Sequence, residues 1–173
     1  MNRIKHLLDW KTLVLMINAF VFSKLFHCST VWGNTSKSNI TKLQLVQNFA
    51  GKIVLGLKKI DYSSQGLKSL GWLSIEDKLQ LNTAVMVHKC LHHRVPIYLK
   101  DKFVYRSQVH NRQLRSVDNN DLNLPHCRLS TGLRSFAFRG AKVWNSLPLD
   151  LKLTPSLRTL KKNVCEVLLN KLS

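Results

Sequence analysis

The stretch Arg134–Pro148, RSFAFRGAKVWNSLP, holds the densest mixture of aromatic, cationic and small residues in the chain, and its reading decides how the C-terminal part is built. Phe136 and Phe138 alternate with Ser135 and Ala137, which predicts a short strand with one aromatic face. Gly140 breaks that pattern, and beyond it Ala141, Val143, Trp144 and Leu147 follow helical spacing until Pro148 stops the turn. Arg134, Arg139 and Lys142 bracket the joint. Two uses fit these residues. One is a surface that holds a phosphate chain and stacks on bases; the other is a strand and helix closing a small core, with the aromatics as packing residues.

Upstream of this stretch the residues from Tyr105 to Arg128 are mostly Arg, Asn, Gln, His and Ser, so a long basic loop is expected over 105–133, with a small strand element near 122–138. From Lys102 to Lys142 there are 8 Lys or Arg, opposed only by Asp118 and Asp121. Further back the pattern turns helical. Leu43, Val46, Phe49, Ala50, Ile53, Val54 and Leu57 recur at three and four, with Lys42, Gln44, Gln47, Asn48 and Lys52 on the opposite side and Gly56 weakening the last turn. Ser74 and Asp77 have capping-box spacing and open a second helix that runs to about His93. Downstream, Thr154 is the expected cap and Pro155 the first helical position of a terminal helix lined by Leu157, Leu160, Val164, Leu168 and Leu172.

At the other end, an apolar run from Thr12 to Phe22 is shorter than the roughly 20 residues a membrane span needs. Arg3, Lys5 and Lys11 followed by sequons at Asn34 and Asn39 also allow a secretory signal. Asp9 and Trp10 in the leading segment, Asn18 within the apolar run and the bulky HCSTVWGN after it favour a buried helix instead.

The 173 residues, 45% of them hydrophobic, suffice for a folded core. Lys and Arg number 27 against 9 Asp and Glu, a formal charge of +18, which points to a polyanion partner, nucleic acid before an anionic membrane. Cys28, Cys90, Cys127 and Cys165 show no zinc spacing and read as reduced thiols. In HKCLHH, His88 and His92 share a helix face with Cys90 and His93 beside them, but no carboxylate or second ligand pair stands nearby; no metal or cofactor is expected. Two-metal phosphoryl or nucleotidyl transfer needs paired carboxylates, and the adjacent Glu76 and Asp77 are better placed to complement a helix dipole. No nucleophile motif or glycine-rich phosphate loop is present, so no catalytic residue is assigned and the chain as it stands is expected not to be an enzyme or to take a small-molecule substrate.

The order of blocks carries a resemblance beyond composition. FVFSKLFHCSTVWGNTS, ITKLQLVQNFAGKIVLG, LKSLGWLSIEDKLQLNTAVMVHKCLHHRVPIYLKDKF, LPHCRLSTGLRSFAFRGAKVWNSLP and SLRTLKKNVCEVLL in succession resemble the C-terminal part of reverse transcriptases from non-LTR retrotransposons, of the jockey-like and chicken-repeat-like kinds, over about Asn18 to Leu169. The resemblance implies a mainly α fold, a helical thumb-like bundle with its extension, that grips RNA or an RNA/DNA duplex inside the cell, in the nucleus if it acts as in the family, with no membrane partner. Arg134, Arg139 and Lys142 match basic positions of the family's terminal block. The metal-holding aspartates of the palm would lie upstream of Met1. His27 stands where the family usually has tyrosine and Gly51 where it usually has alanine, departures that fit a truncated or decayed genomic copy.

The sequence therefore predicts a helical thumb-like region over 1–104, a basic loop over 105–133 and a C-terminal strand-helix extension over 134–173. Its expected role is nucleic-acid binding without catalysis, through Arg112, Arg115, Arg128, Arg134, Arg139 and Lys142. A remnant that has lost its function and a secreted basic protein are the alternatives.

Overall fold

The computed structural model describes residues 7–58, 61, 64–109 and 119–170. The fold is mainly α. The chain divides into two compact units, Met1–Lys78 and Leu79–Ser173, with the division inside a helix. The boundaries expected near 104 and 133 both fall within the second unit.

In the first unit, α1 (Trp10–Ile17) runs through a π turn (Asn18–Phe22) into α2 (Ser23–Leu25), followed by α3 (Ser29–Trp32). Leu13, Ile17 and Phe22 are buried at spacings of four and then five. The five-residue step is the width of a π turn, so the polar Asn18 that interrupts the apolar run marks the place where the helix takes up an extra residue. Trp72 meets the Phe22 ring edge-on at 4.8 Å, an arrangement that satisfies the ring quadrupoles.

Helix α4 (Lys37–Leu55) starts at Ser36, whose hydroxyl accepts from the Asn39 N–H. It ends at Gly56, whose φ of 66° lets Leu57 N–H reach back to the Lys52 carbonyl. Gly56 thus terminates the helix rather than weakening its last turn. The buried face is also not the expected one. Gln47, Ala50, Gly51 and Val54 face inward, while Val46 and Phe49 are exposed. The reason is a polar stitch. Gln47 Nε2 donates to the Leu73 carbonyl at 2.8 Å, Gln44 Oε1 accepts from Ile75 N–H at 2.9 Å, and Gln44 Nε2 donates to Gln47 Oε1 at 3.0 Å. These bonds satisfy backbone groups at the turn where α5 (Ser64–Ser69) gives way to α6 (Ile75–Leu91). Ser74 caps α6 by accepting from Asp77 N–H at 3.1 Å, as its spacing predicts.

The second unit holds the rest of α6, then α7 (Ile97–Lys100), α8 (Arg106–Val109), α9 (Ser130–Leu133), α10 (Phe136–Asn145), α11 (Leu149–Lys152) and α12 (Leu157–Asn170). Its core gathers Val87, Cys90, Phe103, Leu122, Ala141 and Trp144, and a second buried row of Leu160, Val164 and Leu168 runs along α12. Leu172, expected at the end of that row, lies outside the described residues.

The strand near 122–138 and the Thr154 cap are corrected here. Among the described residues there is no strand over 122–138: Leu122 makes a single antiparallel bridge to Tyr105, and the aromatic pair stands in helix. Ser135 accounts for the latter, because its hydroxyl accepts from Phe138 N–H and starts α10 at Phe136. Of the basic loop expected over 105–133, residues 110–118 lie outside the described residues, and the short turns α8 and α9 stand near its two ends. The cap of α12 is Ser156, not Thr154; its carbonyl accepts from Leu160 N–H and its hydroxyl from Thr159 N–H.

Candidate nucleic-acid interface

Helix α10 is positioned from its apolar side. Phe136, Gly140, Ala141 and Trp144 recur at helical spacing and turn toward Phe103, Val87 and Leu122. Gly140 permits the approach, since a Cβ there would lie 2.8 Å from the Phe103 ring and 2.9 Å from Val87. Phe103 in turn meets the Phe136 ring at 90° and 5.3 Å. Trp144 is 1% exposed, and its indole N–H donates to the Asn120 carbonyl at 3.3 Å. A tryptophan so enclosed packs the core and offers no face to a base. Phe136 and Phe138 are half-buried.

The cations fall around this helix. Arg139 and Lys142, three residues apart, share one helix side; Lys142 is exposed and Arg139 half-buried. Arg134 caps the C-terminal end of α9 and is exposed, and Arg128 is exposed in the segment leading into α9. Arg112 and Arg115 lie outside the described residues. Arg134 thus stands at the end of α9 and Arg139 and Lys142 on α10, with Arg128 in the segment before them.

Sequence reasoning overlooked the polar latch beneath these cations. Asn145, the last residue of α10, accepts from Leu122 N–H at 2.7 Å and donates to the Leu122 carbonyl at 2.9 Å, so one side-chain amide satisfies both backbone groups of a fully buried residue. Lys152 is buried, and its ammonium donates to Asp121 at 2.7 Å and to the carbonyls of Asn119 and Asn145 at 3.2 and 3.3 Å. Arg106 approaches the other Asp121 oxygen at 4.0 Å. One of the two acids expected to oppose the basic region is thus engaged internally by Lys152. A lysine reads as surface in any sequence, and only its three oxygen partners reveal it as a core residue.

The histidine cluster is also structural. His88 is fully buried, its Nε2–H donates to the Thr154 carbonyl at 2.9 Å, and its ring lies against that of His92, tilted by 35° with centroids 4.0 Å apart. Burial pushes the His88 imidazole below its ordinary pKa, the Thr154 carbonyl works the other way, and nearby His92 and Arg94 add to the lowering. Among the described residues no group of three or more His, Cys, Asp and Glu side chains is arranged to hold a metal ion. No helix of the described residues is long and apolar enough to cross a membrane. No known protein family, curated protein or solved structure matches the chain.

Proposed function

We propose that the chain is a nucleic-acid-binding piece of a non-LTR retrotransposon reverse transcriptase, a thumb-like helical bundle with its C-terminal extension, which grips RNA or an RNA/DNA duplex without performing catalysis. The observation that carries this reading is the charge of +18 together with the exposure of Arg128, Arg134 and Lys142 around α9 and α10. Surface guanidinium and ammonium groups bind phosphates with little desolvation, and each bound phosphate releases condensed counterions. The order of sequence blocks supports the family, and the mainly α fold suits it.

The test is fluorescence anisotropy on the purified chain with a labelled RNA/DNA duplex. With at least four phosphate contacts, from Arg128, Arg134, Arg139 and Lys142, affinity should fall by at least about a hundredfold between about 50 and 200 mM salt. Equal affinity at the two concentrations would rule out the electrostatic mechanism. Binding no tighter than that of an unrelated protein of equal charge would favour an inert remnant.

A further inference from the structure

A second set of cations meets away from α10. Helix α6 ends at Leu91, His93 adopts a left-handed φ of 55°, and Arg94 N–H turns back to the Lys89 carbonyl at 2.9 Å. That six-residue closure lifts Arg94 off the end of the helix. The segment entering α12 is held to the same helix by the bond from buried His88 to the Thr154 carbonyl. Arg158 and Lys161, three apart, stand on one side of the first turn and a half of α12. Between the two segments opens a shallow groove of about 680 Å³, lined by Arg94, Pro155, Ser156, Leu157, Arg158 and Lys161, with no acidic side chain in its wall.

We propose that this groove is a second phosphate-binding site for the backbone of the nucleic acid, resting on the functional reading above. Arg94, Arg158 and Lys161 are all exposed, so they meet an anion at little desolvation cost. Among the described residues the ion pairs use Arg106, Lys152 and Lys162, and none uses these three cations. Lys162 pairs with Glu166 at 3.9 Å on the same helix, and Glu166 is not in the groove wall. Two guanidinium forks, an ammonium and the Ser156 hydroxyl supply donors from two directions, which matches the tetrahedral oxygens of a phosphodiester better than a planar carboxylate. The segments that carry these cations are tied to each other by the hydrogen bond from His88 to the Thr154 carbonyl.

The test compares three proteins by anisotropy on the same duplex across a salt series: the unaltered chain, Arg94→Gln/Arg158→Gln/Lys161→Gln, and a control with the same charge change at exposed lysines, Lys37→Gln/Lys42→Gln/Lys68→Gln. The groove variant should bind at least about tenfold more weakly at low salt, and its log–log salt slope should be less negative by about 2 to 3. The control should change far less. Equal losses in the two variants would overturn the groove while leaving nucleic-acid binding intact. Failure of the unaltered chain to bind duplex above a generic basic protein would instead sink the functional reading and the groove with it. Groove-dependent binding to vesicles of phosphatidylcholine with about one third phosphatidylserine, without groove-dependent binding to duplex, would overturn the assignment to nucleic acid. Because the altered side chains are exposed, all variants should retain the helical circular-dichroism spectrum; if the triple variant does not, single Arg158→Gln decides, with an expected slope change of about 1.

Discussion

Each unit is held together by its own means. The first relies on helix surfaces: Leu13, Ile17, Phe22, Ala50 and Val54 press apolar area together, and Phe20, Leu45 and Phe49 remain exposed beside them. Its inter-element polar ties are led by the Gln44 and Gln47 amides. The second unit relies on particular atoms. Trp144 ties Asn120, Asn145 ties Leu122, Lys152 ties Asp121 and two carbonyls, and His88 ties Thr154, each from a largely buried position. Apolar area lost on substitution scales with the atoms removed, whereas a buried polar group stripped of its partner carries its full desolvation penalty. The second unit should therefore be the less forgiving of the two, although it also carries the proposed binding cations.

The sharpest way to break that contrast is Trp144→Ala, which removes the largest fully buried side chain and the bond to Asn120. A loss of about 3–5 kcal/mol is expected in urea unfolding. Lys142→Gln, at an exposed position, should leave the stability within about 0.5 kcal/mol of the unaltered chain while weakening duplex binding. The reverse pattern would reassign the roles of the two residues. A finer comparison sets two helical glycines against each other. At Gly140 a Cβ would collide with the Phe103 ring and Val87, so Gly140→Ala should destabilise by about 1–3 kcal/mol. At Gly51 the only close atom is the tip of Leu67, at 2.9 Å, with nothing else nearer than 3.9 Å. Gly51→Ala should then be neutral or gain up to about 1 kcal/mol of helix propensity. If both substitutions had the same sign, the difference between the units would not lie in their packing tolerance.

The smallest effect concerns pH. The folded pKa of His88 lies below its unfolded value, so the unfolded chain takes up the proton first. The contribution of neutral His88 is complete above the unfolded value of about 6.5 and is lost as pH falls from there toward the lowered folded value. Thermal melts between about pH 7.5 and 5 should show this decline, and His88→Gln should flatten it. An unchanged slope in that variant would place the titration elsewhere.

Much of the helical frame was legible in the sequence because it obeys local rules. Ser74 with Asp77 marks the start of α6, and Leu160, Val164 and Leu168 mark the inner face of α12. What was misread depends on competition between local signals or on distant partners. Phe136 and Phe138 alternate like a strand, yet the Ser135 cap and the run from Gly140 to Trp144 make helix, since one capped turn extends at little further entropy cost. Gln47 and Lys152 look like surface residues until Leu73 and Asp121, 26 and 31 residues away, are seen to satisfy them. Of the candidate site, the exposed cations near α10 were readable as charge, but not the groove at α12, because Arg94 meets Arg158 only through the fold of the second unit.

Between Ile17 and Phe22 the first helix carries one residue more than an α turn needs, with Asn18, Ala19 and Phe20 outside the core. Deleting Ala19 would shorten the π turn to an α turn and leave Ile17 and Phe22 over the same neighbours. The same deletion within α4 would rotate every later side chain of that helix by about 100°. A one-residue deletion at this point should therefore leave the packing of the N-terminal helix in place, where the same deletion in α4 would not.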